Sequence, residues 1–195
     1  MRVAGVLLAA GASRRLGRPK QLARLRGEPL VRRAARALVD AGCAPVFAVT
    51  GTRARSVETA LEGLPVECVL NAAFRDGLAS SIRVGVDVVR LATPPCDGVL
   101  LSVVDQPAVD AALLRTLIER FEEALGVRAV ACAYAGGLGV PALFPRALFR
   151  ELTALYGDTG AKPLLEARAE EVIAVPFPAG AQDVDTAEDL SRAKR

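Results

Sequence analysis

Histidine and tryptophan are absent from the 195 residues, and aromatic residues make up only 4% of the chain. Without histidine there is no Ser-His-Asp or Cys-His nucleophile system, no histidine-bound zinc and no imidazole general base. With so few aromatics there is little to stack on unpaired bases, which argues against a single-stranded nucleic-acid binder. The four cysteines, Cys43, Cys68, Cys96 and Cys132, form no CxxC pair. That pattern is poor for zinc and too sparse for a disulfide scaffold, so buried reduced thiols in a cytoplasmic protein are expected. No run approaches the ~20 apolar residues of a membrane helix. The apolar run from Val3 to Ala10 stops at Gly11 and the arginines Arg14, Arg15 and Arg18, so it reads as a strand and not as a secretory leader. Chemistry must come from carboxylates, cations, backbone amides or a hard metal ion.

A hydrophobic share of 52% is ample for a core, which excludes disorder, and the length fits one domain over residues 1–195. Charge is uneven. Residues 1–36 hold nine arginines and Lys20 against Glu28 alone, a net +9, whereas residues 151–195 hold nine acids against five bases, a net −4. A basic start fits nucleic acid, a membrane surface or a polyphosphate. The acidic end would repel a nucleic-acid backbone, so a compact anionic ligand is expected, with no nucleic acid and no membrane as partner.

Apolar runs of strand length alternate with helical patterns. Strands are expected over Val3–Ala9, Val46–Thr50, Val66–Leu70, Val99–Val104 and Val127–Ala133. Helices are expected over 30–41 (stopped by Gly42), Arg53–Leu61, Ala79–Leu91 and Ala111–Leu125, the last the longest. Beyond these, residues 136–139 read as a glycine loop, Pro141–Phe144 as a short extended piece, Leu148–Leu155 and Leu164–Arg168 as helices, Val172–Val175 as a strand, and Ala187–Ala193 as a closing helix. Strand–helix alternation implies right-handed crossovers onto a mainly parallel sheet, an α/β chain with helices on both faces. Ligands in such sheets sit beyond the carboxyl ends of the strands, so the segments after Ala9, Leu70 and Val104 are the places for a site.

The first of these segments, Leu8-Ala9-Ala10-Gly11-Ala12-Ser13-Arg14-Arg15-Leu16-Gly17-Arg18-Pro19-Lys20-Gln21-Leu22, is the richest. Its small residues let backbone amides approach a ligand, and Gly11 and Gly17 allow turns that aim successive N–H groups at one point. Arg15 and Lys20 add fixed cations. It is a phosphate cradle by composition, yet neither a Walker loop nor a GxGxxG fingerprint. The segment after Val104 holds Asp105-Gln106-Pro107, where Asp105 is either a metal ligand or the N-cap of the helix near Ala111, with Asp110 able to take the capping role instead. Near the end, Asp183-Val184-Asp185-Thr186-Ala187-Glu188-Asp189-Leu190 offers further carboxylates and a Thr186/Asp189 capping box; Asp185 is a ligand, an outer acceptor or part of the turn.

The first stretch resembles the LAAGxSxRxGxPKxL signature of GT-A-like nucleotidyltransferases, and within them the molybdenum cofactor cytidylyltransferase-like (MobA-like NTP transferase) group. That resemblance implies a single-domain Rossmann-like three-layer α/β/α fold with a mainly parallel twisted sheet. It divides the chain into a nucleotide-binding part, 1–110, and an acceptor-side part with a metal-binding closing segment, 111–195. It further implies that Leu8, Ala9, Ala10, Gly11, Ala12 and Ser13 wrap an NTP triphosphate, with Arg15 and Lys20 neutralising charge during transfer and Arg14 on a variable position. Asp105 matches the Mg²⁺-binding carboxylate of the family, and Asp183 is the choice for its partner. Asn71, Gly77 and Ser81 fall in a segment similar to NxxWxxGxxxS, which reads base and ribose, with Phe74 in place of Trp. The 157–162 segment, with Asp158 and Lys162, is similar to the acceptor-side GDxGA(R/K) motif, and Val140 stands where relatives often have His.

The resemblance thus implies a cytoplasmic, Mg²⁺-dependent enzyme that passes CMP from CTP to a phosphorylated acceptor, the molybdopterin cofactor, and serves a molybdoenzyme or its maturation chaperone. Three alternatives stay open: a sugar-phosphate or isoprenoid acceptor, GTP as donor, and a non-catalytic NTP-binding accessory.

Overall fold

A computed structural model describes residues 1–11, 19–184 and 186–193. In chain order the elements are β1 (Val3–Leu8), the short ribbon β2 (Arg24–Leu25) and β3 (Glu28–Pro29), α1 (Leu30–Asp40), β4 (Val46–Thr50), α2 (Ala54–Leu61) and β5 (Glu67–Leu70). There follow α3 (Leu78–Leu91), β6 (Gly98–Val103), α4 (Ala111–Glu123), β7 (Val130–Tyr134), β8 (Gly137–Pro145), α5 (Phe149–Thr153), α6 (Lys162–Ala167), β9 (Ile173–Pro176) and α7 (Ala187–Arg192).

A strand that is apolar at every position needs cover on both faces. The six residues of β1 are all buried, and their period of two splits them between two cores. Val3 and Leu7 meet Leu38, Leu61, Phe121 and Leu190 on the side of α1, α2, α4 and α7. Ala4, Val6 and Leu8 meet Ile82, Val86, Leu152 and Leu165 on the side of α3, α5 and α6. The sheet order is β5-β4-β1-β6-β8-β7-β9. From β1 the chain runs outward through β4 and β5, then crosses to β6 on the other flank of β1, all in parallel. The order therefore switches between β1 and β6, the crevice where sheets of this kind receive ligands.

Two expectations are corrected. The longest helix is α3, with 14 residues, and not α4, with 13. Leu125 and Gly126 take positive φ (54° and 70°), a left-handed cap that ends the helix early. The same cap delays the following strand, which begins at Val130 and not at Val127. The second correction concerns residues 136–139, read as a loop followed by a short extended piece. Residues 137–139 belong to the nine-residue strand β8, antiparallel to both β6 and β7. The turn is Ala135-Gly136, with φ of 49° and 77°, the I′ geometry that two-residue hairpins favour. Pairing slips from Ala131↔Ala142 to Cys132↔Gly139, so Val140 and Pro141 bulge where a residue without an N–H is tolerated. The Tyr134 hydroxyl donates to the Val140 carbonyl at 2.9 Å. The sheet remains mainly parallel, as expected.

Candidate active site

The chain leaves β1 through Ala9, Ala10 and Gly11, and its next described residues, Pro19 and Lys20, open a tight turn over Lys20–Leu22. Gln21 is buried within that turn, and its Nε2 donates to the carbonyls of Ala9 at 2.9 Å and Gly11 at 2.6 Å. Two oxygens that would repel an anion are thereby occupied, and the turn is tied to the strand end. Lys20 Nζ then meets Asp105 Oδ2 at 2.9 Å. The pair spans 85 residues of sequence and is mostly shielded, with side chains 15% and 30% exposed.

Asp105 follows β6. The next helix does not need it as a cap, because Asp110 accepts from the Leu113 N–H at 2.9 Å. The Asp105 carbonyl accepts from the Val184 N–H at 2.8 Å, and this backbone bond brings the segment carrying Asp183 beside Asp105. Gln106 is buried and reinforces the join: its Nε2 donates to the Gly180 carbonyl at 3.1 Å and to Tyr134 Oη at 3.2 Å. The Tyr134 phenol is pushed above its ordinary pKa, first by burial and further by the charges of Asp183 and Asp105, against the Gln106 hydrogen bond. Both carboxylates are thus felt at one point. The closing segment also forms its capping box, Thr186 with Asp189.

Lys20 and Asp105 face a cavity of about 450 Å³. Leu8, Ala9, Ala10 and Gly11 form one wall, and Gly77, Ser81 and Asp158 another. Gly77 has φ of 99° and ψ of 179°, a conformation open to glycine. A Cβ there would collide with the Gly157 carbonyl and come within 2.7 Å of the Asp158 N–H, so this glycine is what lets the 157–158 loop complete the cavity. Asn71 is drawn near but does not line it. Its Nδ2 donates to Ser80 and Ser81 Oγ at 2.8 and 3.0 Å, and its Oδ1 accepts from Ala73 N–H at 2.9 Å. Asn71 therefore shapes the start of α3. Lys162 stands apart, on an adjoining cavity, 3.6 Å from Glu166. Ala12, Ser13, Arg14, Arg15 and Asp185 lie outside the described residues.

Sequence reasoning missed Gln21, Arg75 and Gly51 as parts of the site. Arg75 lines the cavity, with its guanidinium carbon 5.7 Å from the centroid of Phe74; a cation beside an aromatic after a strand end was its signal. Gly51 has none, because its importance is contact alone: a Cβ there would stand 2.7 Å from the Ala10 carbonyl oxygen and 3.1 Å from the Phe74 ring.

Among the described residues no three His, Cys, Asp or Glu side chains form a ready metal cluster. Two carboxylates are a sparse donor set that suits an ion taking its remaining oxygens from phosphate and water, as Mg²⁺ does. A site built on these two carboxylates would offer hard oxygens, which suit a hard cation.

Residues 5–172 match the family profile described as the MobA-like NTP transferase domain. The chain is 32% identical over 202 residues to nicotine blue oxidoreductase of Paenarthrobacter nicotinovorans, covering 97% of this chain and 95% of that protein. It is 36% identical over 110 residues to the probable molybdenum cofactor guanylyltransferase of Opitutus terrae, covering 56% of this chain and 51% of that one. The crystal structure of Rv0371c from Mycobacterium tuberculosis H37Rv matches with TM-score 0.80 at 32% identity, over 100% of this chain and 98% of that one. Its complex with manganese matches with TM-score 0.76 at 31% identity, over 99% and 97%.

Proposed function

Because the chain belongs to the MobA-like NTP transferase family and is a nucleotidyltransferase, we propose that it transfers CMP from CTP to a phosphorylated small molecule, the molybdopterin cofactor, and releases pyrophosphate. The observation that carries this reading is the Lys20–Asp105 pair, 2.9 Å apart, at the switch between β1 and β6 on the wall of a cavity of about 450 Å³.

An acceptor phosphate oxygen attacks the α-phosphorus in line. The new P–O bond forms as the bond to the β-phosphate breaks, and pyrophosphate carries away the electron pair, with no redox change. Little covalent help is needed from the protein; positioning and charge stabilisation carry the rate. The backbone of Ala10 and Gly11 cradles the triphosphate, with the Ala9 and Gly11 carbonyls held off by Gln21. Lys20 stabilises the oxygens that gain charge, aided by Arg15, and Ser81 and Gly77 border the nucleoside. Asp105 and Asp183 would hold Mg²⁺. When bound there, the ion neutralises phosphate charge. Asp158, on the main cavity, and Lys162, on the adjoining one, would serve the acceptor.

CTP as donor rests on the likeness of the Ala9-Ala10-Gly11, Asp105-Gln106-Pro107 and 157–162 segments to the cytidylyltransferase-like group, while a guanylyltransferase relative makes GTP the rival. Pyrophosphate release should be measured with CTP, GTP, ATP and UTP, molybdopterin and Mg²⁺ or Mn²⁺. CTP turning over fastest supports the proposal, and a clear preference for GTP overturns the donor assignment. No release with any pair, alongside oxidation or reduction of nicotine blue, the compound in the oxidoreductase relative's name, overturns the reaction.

A further inference from the structure

A second cavity, of about 240 Å³, opens beside the first and shares Leu8, Leu78 and Val103 with it. Its character is different. The main cavity holds Lys20, Asp105, Asp158 and Arg75, whereas the walls of the second that are not shared include Ile82, Leu138 and Val140, with Lys162 as its one ionic side chain among the described residues. Tyr134 is its polar exception, and that hydroxyl is already engaged, donating to the Val140 carbonyl at 2.9 Å and accepting from Gln106 Nε2 at 3.2 Å. A ligand rich in hydroxyls would lose water there without side-chain partners to replace it. An apolar body would lose nothing. Lys162 is loosely and exposedly paired with Glu166, at 3.6 Å, and an exposed pair of this kind contributes little, so its ammonium can turn to an anion at small cost.

We infer that this second cavity receives the non-reacting body of the acceptor, that this body is a compact ring system with apolar faces and an anionic substituent reaching Lys162, and that Val140 sets the preference. The inference rests on the proposed nucleotidyl transfer: the three shared residues mark a side on which a body in the second cavity adjoins a nucleotide in the first. It disfavours open or cyclic sugar phosphates as acceptors, because their hydroxyls meet few polar side chains on these walls.

The test uses 2-naphthalenesulfonate as probe, titrated calorimetrically into the full chain with and without Mg²⁺-nucleotide, with ribose 5-phosphate in parallel. One saturable site is expected, binding the sulfonate more tightly than the sugar phosphate and still available with nucleotide bound. Lys162→Glu, at an exposed position that the fold does not need, should weaken the sulfonate about tenfold while leaving neutral 2-naphthol unchanged. Val140→Asp, which sets an unpaired charge against an apolar ligand, should weaken both, and its thermal midpoint reports whether the fold survives. A site indifferent to Lys162→Glu, or tighter binding of ribose 5-phosphate, overturns the inference and leaves the nucleotidyl-transfer proposal standing. Loss of nucleotide binding with the naphthalenesulfonate site intact counts against the transfer proposal alone.

Discussion

The four parallel strands β5, β4, β1 and β6 and the hairpin β7–β8 reach the same crevice by different means. In the parallel half every strand ends on one side of the sheet, so the segments after β1, β5 and β6 converge there without further instruction. What this half supplies is largely backbone at Ala9, Ala10 and Gly11, with Lys20, Asp105 and Arg75 among its charges. The hairpin reverses direction, and its side chains do the joining: Tyr134 takes a hydrogen bond from Gln106, which in turn holds Gly180 of the closing segment. Under the proposed transfer, the parallel half would hold the phosphates and the antiparallel half would bound what sits beside them.

The sharpest break in that comparison is Lys20→Ala. As a preorganised cation, Lys20 should cost about 10²–10³ in turnover when removed, roughly 3–4 kcal/mol of barrier. Steady-state pyrophosphate release checks this, and a variant within about threefold of the parent sinks the role, since the effect would then fall far below that of an oxyanion donor. Next is Gly77→Ala, which forces a strained φ of 99° and a collision with the Gly157–Asp158 backbone. It should lower stability by about 1–3 kcal/mol and weaken nucleotide binding together, read by denaturant unfolding and calorimetry.

Asp110→Ala sharpens the contrast between two aspartates on one loop. Loss of the cap should cost about 1 kcal/mol and leave turnover unchanged, because Asp110 serves the Leu113 N–H and not the cavity; a tenfold loss of turnover, equal to about 1.4 kcal/mol of barrier, would break the distinction. The last effect is confined to alkaline pH. Burial holds the thiols of Cys43 and Cys132 up at about 12, from 9. The unfolded thiols release protons first, so this contribution is full below pH 9 and is lost as pH rises toward 12. Unfolding midpoints should therefore fall across that window, and Cys43→Ala/Cys132→Ala should flatten the alkaline limb.

Much of this was legible before any coordinates. Buried strands announce themselves as unbroken apolar runs, as with Val46–Thr50, whose bounds the structure reproduces. The Lys20 and Asp105 segments stood out because each follows such a run. Glycine content misled at 136–139, since the same residues serve a loop or a tight hairpin, and the difference lies in the cover that β6 and β7 give to β8. Gly51 and Gln21 were invisible for a related reason: their roles are contacts with Ala10, Ala9 and Gly11, which no local pattern encodes.

The sequence alone determined the alternation of strand and helix, the absence of imidazole chemistry and the charged residues available for the work, because periodicity and side-chain type are local properties. Only the tertiary structure decided that Lys20 and Asp105 stand 2.9 Å apart across 85 residues, that Val184 draws the closing segment to Asp105, and that an apolar cavity adjoins a charged one. Distances between residues far apart in the chain follow from how layers pack and where crossovers return, and those emerge when both faces of the sheet are buried at once.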